Sequence, residues 1–205
     1  METTLYLTRH GQTEWNLIDK MQGHMDSPLT ELGIQQAVWL KVRLEDVHFD
    51  AIYSSSSSRA INTARILSNN RPIEIQTIDS LREINLGLWE GQQIEHIQRK
   101  CPIQYAQFLT KPHLYSPIGH GESYLELLER TIPLLEDIIS KHKGEQVLIV
   151  THRITLKVIM SFFMKKRLHE IGDMPDIYHT ALCKISINDG SPKVVLYDDI
   201  SHYQE

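Results

Sequence analysis

Residues 3–16 read Thr3-Thr4-Leu5-Tyr6-Leu7-Thr8-Arg9-His10-Gly11-Gln12-Thr13-Glu14-Trp15-Asn16. The first seven positions are rich in β-formers and carry no break, the pattern of a short buried strand. His10-Gly11 ends it in a turn. A guanidinium and an imidazole therefore stand at the end of a buried strand. In an open α/β sheet, ligands gather outside the carboxyl ends of the strands, so this stretch bears on both the fold and the site.

The same grammar recurs outward from there. Thr30, with Gly33 behind it, starts a helix whose apolar face (Ala37, Leu40, Val42, Leu44) runs to about Val47. Residues 50–54 form a second strand. Five serines, residues 54–58, supply a strand-end loop and a cap for a helix over residues 59–68. Residues 73–78 alternate as a third strand. Residues 146–150 are a buried strand that ends at Thr151-His152, with helix following to about Met164. Residues 182–187 and 193–197 flank Asp189-Gly190 and read as an antiparallel hairpin. Strands alternating with helices predict an α/β fold, with a mainly parallel sheet covered on both faces and an antiparallel edge.

Between residues 84 and 142 the pattern changes. Gly87, Gly91, Pro102, Pro112, Pro117, Gly119 and Gly121 interrupt short helical pieces. A long amphipathic helix from about Glu122 to His142 follows, with Pro133 as a kink point. This stretch reads as a helical cap insertion in a single domain spanning residues 1–205.

Composition narrows the function. The 205 residues are 41% hydrophobic and 23% charged, ordinary values for a globular chain. Lys and Arg number 21 against 26 Asp and Glu, a net charge of −5, which argues against a nucleic-acid partner. A local cation cluster still allows an anionic substrate. Cys101 and Cys183 lie far apart and suggest neither a zinc site nor a disulfide framework. No basic leader precedes a long apolar run, and no run approaches a membrane span. The expectation is a cytoplasmic protein with no membrane partner. No oligomeric state is read from the sequence.

Several catalytic motifs are missing: the GxxxxGK(S/T) loop, the HExxH helix and the GxSxG elbow. Neither cysteine has an arginine six residues on, where Gln107 and Asp189 stand, so a thiolate phosphatase of that spacing is excluded. What remains is a set of residues at successive strand ends. Arg9 and His10 follow the first strand, Arg59 opens the helix after the second, Glu83 follows the third, and His152 follows the strand of residues 146–150. Singly they read as a turn, a surface helix residue, a salt-bridge partner and a core histidine. Together, two arginines and two imidazoles make a pocket for a dianion, a phosphoryl group above all. Neutral imidazole is a competent nucleophile, arginines stabilise charge developing on phosphoryl oxygens, and a carboxyl such as Glu83 can protonate a leaving alkoxide and then activate water.

These residues resemble the histidine phosphatase superfamily, in its phosphoglycerate-mutase-like branch. Residues 7–16 match that family's L-x-R-H-G-(E/Q)-x-x-x-N signature throughout. The likeness continues in order at Gln22-Gly23, Ser27-Pro28-Leu29-Thr30, Ser58-Arg59-Ala60, Leu81-Arg82-Glu83, Trp89-Glu90-Gly91, Gly121-Glu122-Ser123 and Val150-Thr151-His152. It covers nearly the whole chain and looks most like the small bacterial broad-specificity phosphatases. The resemblance implies a three-layer α/β/α sandwich and hydrolysis of small phosphate monoesters through a phosphohistidine on His10, with no metal and no organic cofactor. It also implies Arg9, Arg59, Asn16 and His152 as phosphoryl ligands, Glu83 as proton donor, and Gln22 and Gly23 as contacts to phosphate or ester. One position departs from the family: Arg153 stands where glycine usually follows the second histidine. It reads as a tolerated substitution, the alternatives being a side chain that crowds the site, one that points into solvent, and an added cation that favours more anionic substrates.

The rival readings are phosphoryl transfer of the phosphoglycerate-mutase type, a specialised enzyme such as an α-ribazole phosphatase, and a non-catalytic module that binds a phosphorylated ligand. A mutase needs a cap that anchors a second anion, for which Arg99, Lys100 and Lys111 are the candidates. Trp89, His113, Tyr115 and His120 of the cap read equally as pocket lining or as packing, and Leu109 and Leu125 would accommodate hydrophobic esters.

Overall fold

The computed structural model describes residues 1–69 and 71–204. Six strands form one mixed sheet: β1 (Glu2–Arg9), β2 (Ala51–Ser55), β3 (Ile75–Ile78), β4 (Gln146–Thr151), β5 (Leu182–Asn188) and β6 (Ser191–Asp199). Their order is β3-β2-β4-β1-β5-β6. The first four run parallel, while β5 is antiparallel to β1 and to β6. The α/β architecture and the antiparallel edge expected from the sequence are both present. Strand β3 starts two residues later than the alternation suggested, at Ile75, and β6 extends further at both ends.

Side chains of alternate strand residues separate two apolar layers. On one face, Tyr6, Ile52, Leu148 and Val150 pack with Leu40 and Leu44 around α2 (Glu31–Arg43) and with Ala60, Ala64 and Leu67 of α3 (Ser58–Ser68). On the other, Leu5, Leu7, Tyr53, Val147 and Ile149 pack with Leu127, Leu135 and Ile138 and with Leu156, Val158 and Ile159. These belong to α6 (Tyr124–Lys141) and α7 (Arg153–Phe163). Between β3 and α6 lie two short helices, α4 (Ile94–Lys100) and α5 (Pro102–Thr110). The short helix after β1 is α1 (Glu14–Leu17).

Local chemistry sets the element ends. Thr30 caps α2 by accepting from the Gly33 N–H, and Ser123 with Glu126 forms a capping box at the start of α6. Pro133 lies inside α6. The turn after β1 sits on the start of α2 through two glycines. A Cβ on Gly11 would stand 2.3 Å from the Gly33 carbonyl oxygen, and one on Gly33 would stand 2.0 Å from that of Gln12. That close approach fixes the segment carrying His10 against the sheet edge.

Candidate active site

Strands β1 and β4 lie side by side, with Arg9 opposite Thr151, and the His10 N–H donates to the Thr151 carbonyl at 3.0 Å. The residue after each strand is a histidine, so both imidazoles reach the same rim, with centroids 5.1 Å apart. His10 Nδ1 lies 2.7 Å from the Gly11 carbonyl oxygen. A carbonyl only accepts, so Nδ1 carries the proton and Nε2 the lone pair. Arg59 Nε donates to that Nε2 at 3.2 Å, which requires the same tautomer.

Arg59 comes from the first turn of α3 and is fully buried. Its Nη1 donates to the Met25 carbonyl and to Asp26 at 2.7 and 2.9 Å, and Nη2 donates to the Gly23 carbonyl at 2.8 Å. Gly23 has φ +55°, and a Cβ there would stand 2.2 Å from Glu90 Oε1, so the tight turn that offers its carbonyl excludes a side chain. Arg9 Nη1 donates to the Ile177 carbonyl at 2.8 Å, and Nη2 donates to His179 Nε2 at the same distance. His152 is fully buried, with Nε2 2.7 Å from Ser55 Oγ. Arg9 Nε and His152 Nδ1 are buried and have no hydrogen-bond partner among the described residues. A bound anion would relieve that condition at Arg9, and at His152 when Nδ1 carries the proton.

Glu83 caps α7 from outside the helix. Its Oε1 accepts from the N–H groups of Ile84 and Thr155 at 3.0 and 3.1 Å, which takes both its lone pairs, whereas Oε2 accepts only from Ile154 N–H at 3.1 Å; the Thr155 hydroxyl donates to the Arg82 carbonyl at 2.8 Å. Oε2 is thus the oxygen with capacity left for a proton. The backbone that carries Glu83 is bracketed by Arg130 of α6, which donates to the carbonyls of Ser80, Arg82 and Glu83 and to both oxygens of Glu122. Asn16 closes a capping box with Thr13 at α1, and the Gln22 amide joins Thr13 Oγ1 to Ser27 Oγ.

Burial, followed by the charges of Arg59 and Arg9, holds the His10 pKa well below the usual imidazole value. Burial and Arg59 do the same to His152. Burial with Arg9 lowers His179 to about 2. Arg9 falls to about 10, mainly through burial, and stays cationic at neutral pH. The site therefore offers neutral imidazoles among fixed cations.

Seven of the eight sequence candidates line one cleft: Arg9, His10, Asn16, Gln22, Gly23, Arg59 and Glu83. His152 lies behind, against His10. The remaining wall is largely apolar, with Trp15, Leu86, Ile94, Tyr105, Phe108 and Ile154, and carries the charges of Asp19, Lys20 and Arg153. Among the described residues, no group of three or more His, Cys, Asp or Glu side chains could hold a metal ion. No helix there is long and apolar enough to cross a membrane.

The alternatives left open for residues 84–142 are settled here. Trp89 and Tyr115 are core residues, packed with Phe108 at ring separations of 5.9 and 5.1 Å, and do not line the cleft. Neither do Leu109, His113, His120 and Leu125. Arg99, Lys100 and Lys111 are not cleft residues either. Ile94 and Ile97 turn one face of α4 inward, which leaves Arg99 exposed and paired with Glu95. Arg153, by contrast, faces the cleft. It occupies the first position of α7 and is not among the residues with positive φ, so glycine is not required there.

Sequence reasoning missed His179, Ser55 and Asp26. His179 precedes β5, whose first residue, Leu182, pairs with Thr8. An antiparallel strand brings its beginning, not its end, to the rim where parallel strands finish. That rule would have pointed to Tyr178-His179-Thr180.

Residues 5–200 match the sequence profile of the histidine phosphatase superfamily, branch 1. A metal-independent phosphoserine phosphatase of Arabidopsis thaliana is 30% identical over 202 residues, covering 98% of this chain and 83% of that one. A probable phosphoglycerate mutase of Escherichia fergusonii is 34% identical over 157 residues, 77% of this chain and 73% of that one. The solved structure of Bacillus stearothermophilus YhfR superposes with a TM-score of 0.94 at 44% identity, covering 98% of each chain. The chain belongs to the histidine phosphatase superfamily, branch 1, and is a phosphatase of it.

Proposed function

We propose that this enzyme hydrolyses small phosphate monoesters without a metal, through a phosphohistidine on His10. The observation that carries this is the fixed tautomer of His10. Its Nδ1–H is held by the Gly11 carbonyl, and the Nε2 lone pair stands between Arg59 and His152 on the wall that also carries Glu83. In the first step the Nε2–P bond forms and the P–O ester bond breaks, while the proton of Glu83 Oε2 passes to the leaving alkoxide. In the second, water attacks phosphorus, its proton returns to Glu83, and His10 is released with inorganic phosphate. Arg9 and Arg59 lie across the phosphoryl oxygens together with Asn16 and His152, and stabilise the charge they gain. Gln22 and Gly23, both on the cleft wall, contact the phosphate or the bound ester; Gln22 also holds Thr13 in the turn that presents Asn16, and the Gly23 carbonyl holds Arg59.

Residues 84–142 serve in this reading as a cap that gives the cleft its apolar wall through Leu86, Ile94, Tyr105 and Phe108. With the cap cations turned away from the cleft, water rather than a second phosphorylated substrate is the acceptor. A phosphoserine-like ester is within the class, as the name of the Arabidopsis relative suggests. The cytoplasm is the proposed compartment, in keeping with the free thiols of Cys101 and Cys183.

The test is hydrolysis of p-nitrophenyl phosphate in EDTA, with His10→Ala beside the native enzyme. The expected result is turnover unaffected by chelation, a fall of at least about a thousandfold in the variant, and an acid-labile phosphoenzyme only in the native protein. Comparable turnover in both proteins overturns the reading.

A further inference from the structure

Arg153 is the one charged residue of the cleft that the proposed chemistry does not use and that stands next to the proposed acid. Glu83 Oε2 is bonded to the N–H of Ile154, at the start of α7. An ester oxygen protonated by Glu83 must therefore sit beside that helix start. The alcohol half of the substrate then leaves the phosphoryl site past Arg153, the first residue of α7.

The guanidinium there is already held. Arg153 Nε and Nη2 bond the two oxygens of Asp176 at 2.6 and 2.7 Å. Asp176 does not line the cleft, so it grips the group from behind. Nη1 has no hydrogen bond among the described residues, which leaves the Nη1–Nη2 edge free. A fork fixed in this way loses little freedom on binding and matches the two oxygens of a carboxylate.

We propose that Arg153 is the specificity residue of this site, binding through its free edge a carboxylate carried by the alcohol half of the phosphate ester. This rests on the phosphatase reading above. One guanidinium partly balanced by Asp176, among Tyr105, Phe108 and Ile154, suits a singly charged group rather than a second phosphate. Lys20 is the other cleft cation outside the phosphoryl group, and its ammonium lies 4.0 Å over the Trp15 ring.

3-Phosphoglycerate and glycerol 3-phosphate differ only in a carboxylate against a hydroxymethyl group. The experiment measures kcat/KM for both with the native enzyme, Arg153→Met, Arg153→Gln and Lys20→Met. The two Arg153 variants guard against misfolding of either, with thermal melting checked for each. The native enzyme is expected to prefer 3-phosphoglycerate at least about tenfold, the worth of one charge-assisted pair. Both Arg153 variants are expected to cut that ratio about tenfold or more, chiefly through KM, and Lys20→Met to keep it. A native ratio near one, a ratio unchanged in the Arg153 variants, or a ratio lost only in Lys20→Met overturns the inference while the phosphatase reading stands. Absence of His10-dependent hydrolysis of either ester and of p-nitrophenyl phosphate overturns both.

Discussion

At the scale of single residues, the proposed chemistry depends on which atom of each group carries the lone pair or the spare acceptor capacity. His10 offers the Nε2 lone pair because Gly11 takes Nδ1–H, and Glu83 offers Oε2 because two backbone N–H groups converge on Oε1. That asymmetry gives a sharp expectation for Glu83→Gln. An amide cannot protonate the alkoxide, so esters with poor leaving groups should slow about a hundredfold or more, whereas p-nitrophenyl phosphate should slow less than about tenfold. Steady-state kcat on an alkyl and an aryl ester checks this, and equal slowing removes Glu83 from the acid's role. The candidate residues were legible because a single sequence still shows which residue types follow each buried strand. Their free atoms were not legible, since these depend on partners such as Ser55, Asp26 and the Ile177 carbonyl, each brought in from a distant part of the chain.

At the scale of elements, strand order does most of the positioning. The sequence showed β1 and β4 as buried strands ending in histidine, but their adjacency is a fact of the order β3-β2-β4-β1-β5-β6. It is also why His179 went unseen: β5 runs the other way, so its approach, not its exit, lies at the rim. The middle segment was harder still. Its breaks were legible, but whether Trp89 and Tyr115 or Tyr105 and Phe108 would face the cleft depends on packing between short helices with little periodicity of their own. Helix α6 has a part beyond packing. Arg130 holds three carbonyls of the segment carrying Glu83, and Glu122 holds Arg130 and the Asn85 N–H. Arg130→Met leaves these carbonyls and the largely buried Glu122 carboxylate without their donor, so stability should fall by about 2–4 kcal/mol. If the bracket also aims Glu83, the variant should lose alkyl-ester turnover more than aryl-ester turnover, as in Glu83→Gln, with Arg130→Lys restoring part of it. Urea denaturation and the two-ester ratio measure the two effects separately. A stability loss with an unchanged ratio reduces Arg130 to a structural brace.

At the scale of the whole molecule, the buried histidines couple stability to pH. His10 and His152 are held well below the usual imidazole pKa, chiefly by burial, His179 lies near 2, and His202, buried in the C-terminal tail, lies near 4. In the unfolded chain each returns to about 6.5. Below that pH the unfolded state binds protons that the folded state refuses, so the stabilisation is complete above pH 6.5 and drains away as pH falls toward 4. Each group contributes at most about 1.4 kcal/mol per pH unit in that window. Two such groups alone would lower the melting temperature by roughly 6–12 °C per pH unit for a domain of this size. His202 separates this effect from catalysis, because it does not line the cleft. His202→Phe removes one of the groups, so the slope of unfolding free energy between pH 6.5 and 5 should shrink by up to about 1.4 kcal/mol per pH unit. Urea melts of the native and variant proteins at pH 7.5, 6.5, 5.5 and 5.0 measure both slopes. A slope unchanged in His202→Phe would show that the folded protein protonates His202 as readily as the unfolded chain does, and the burial argument would fail for that group.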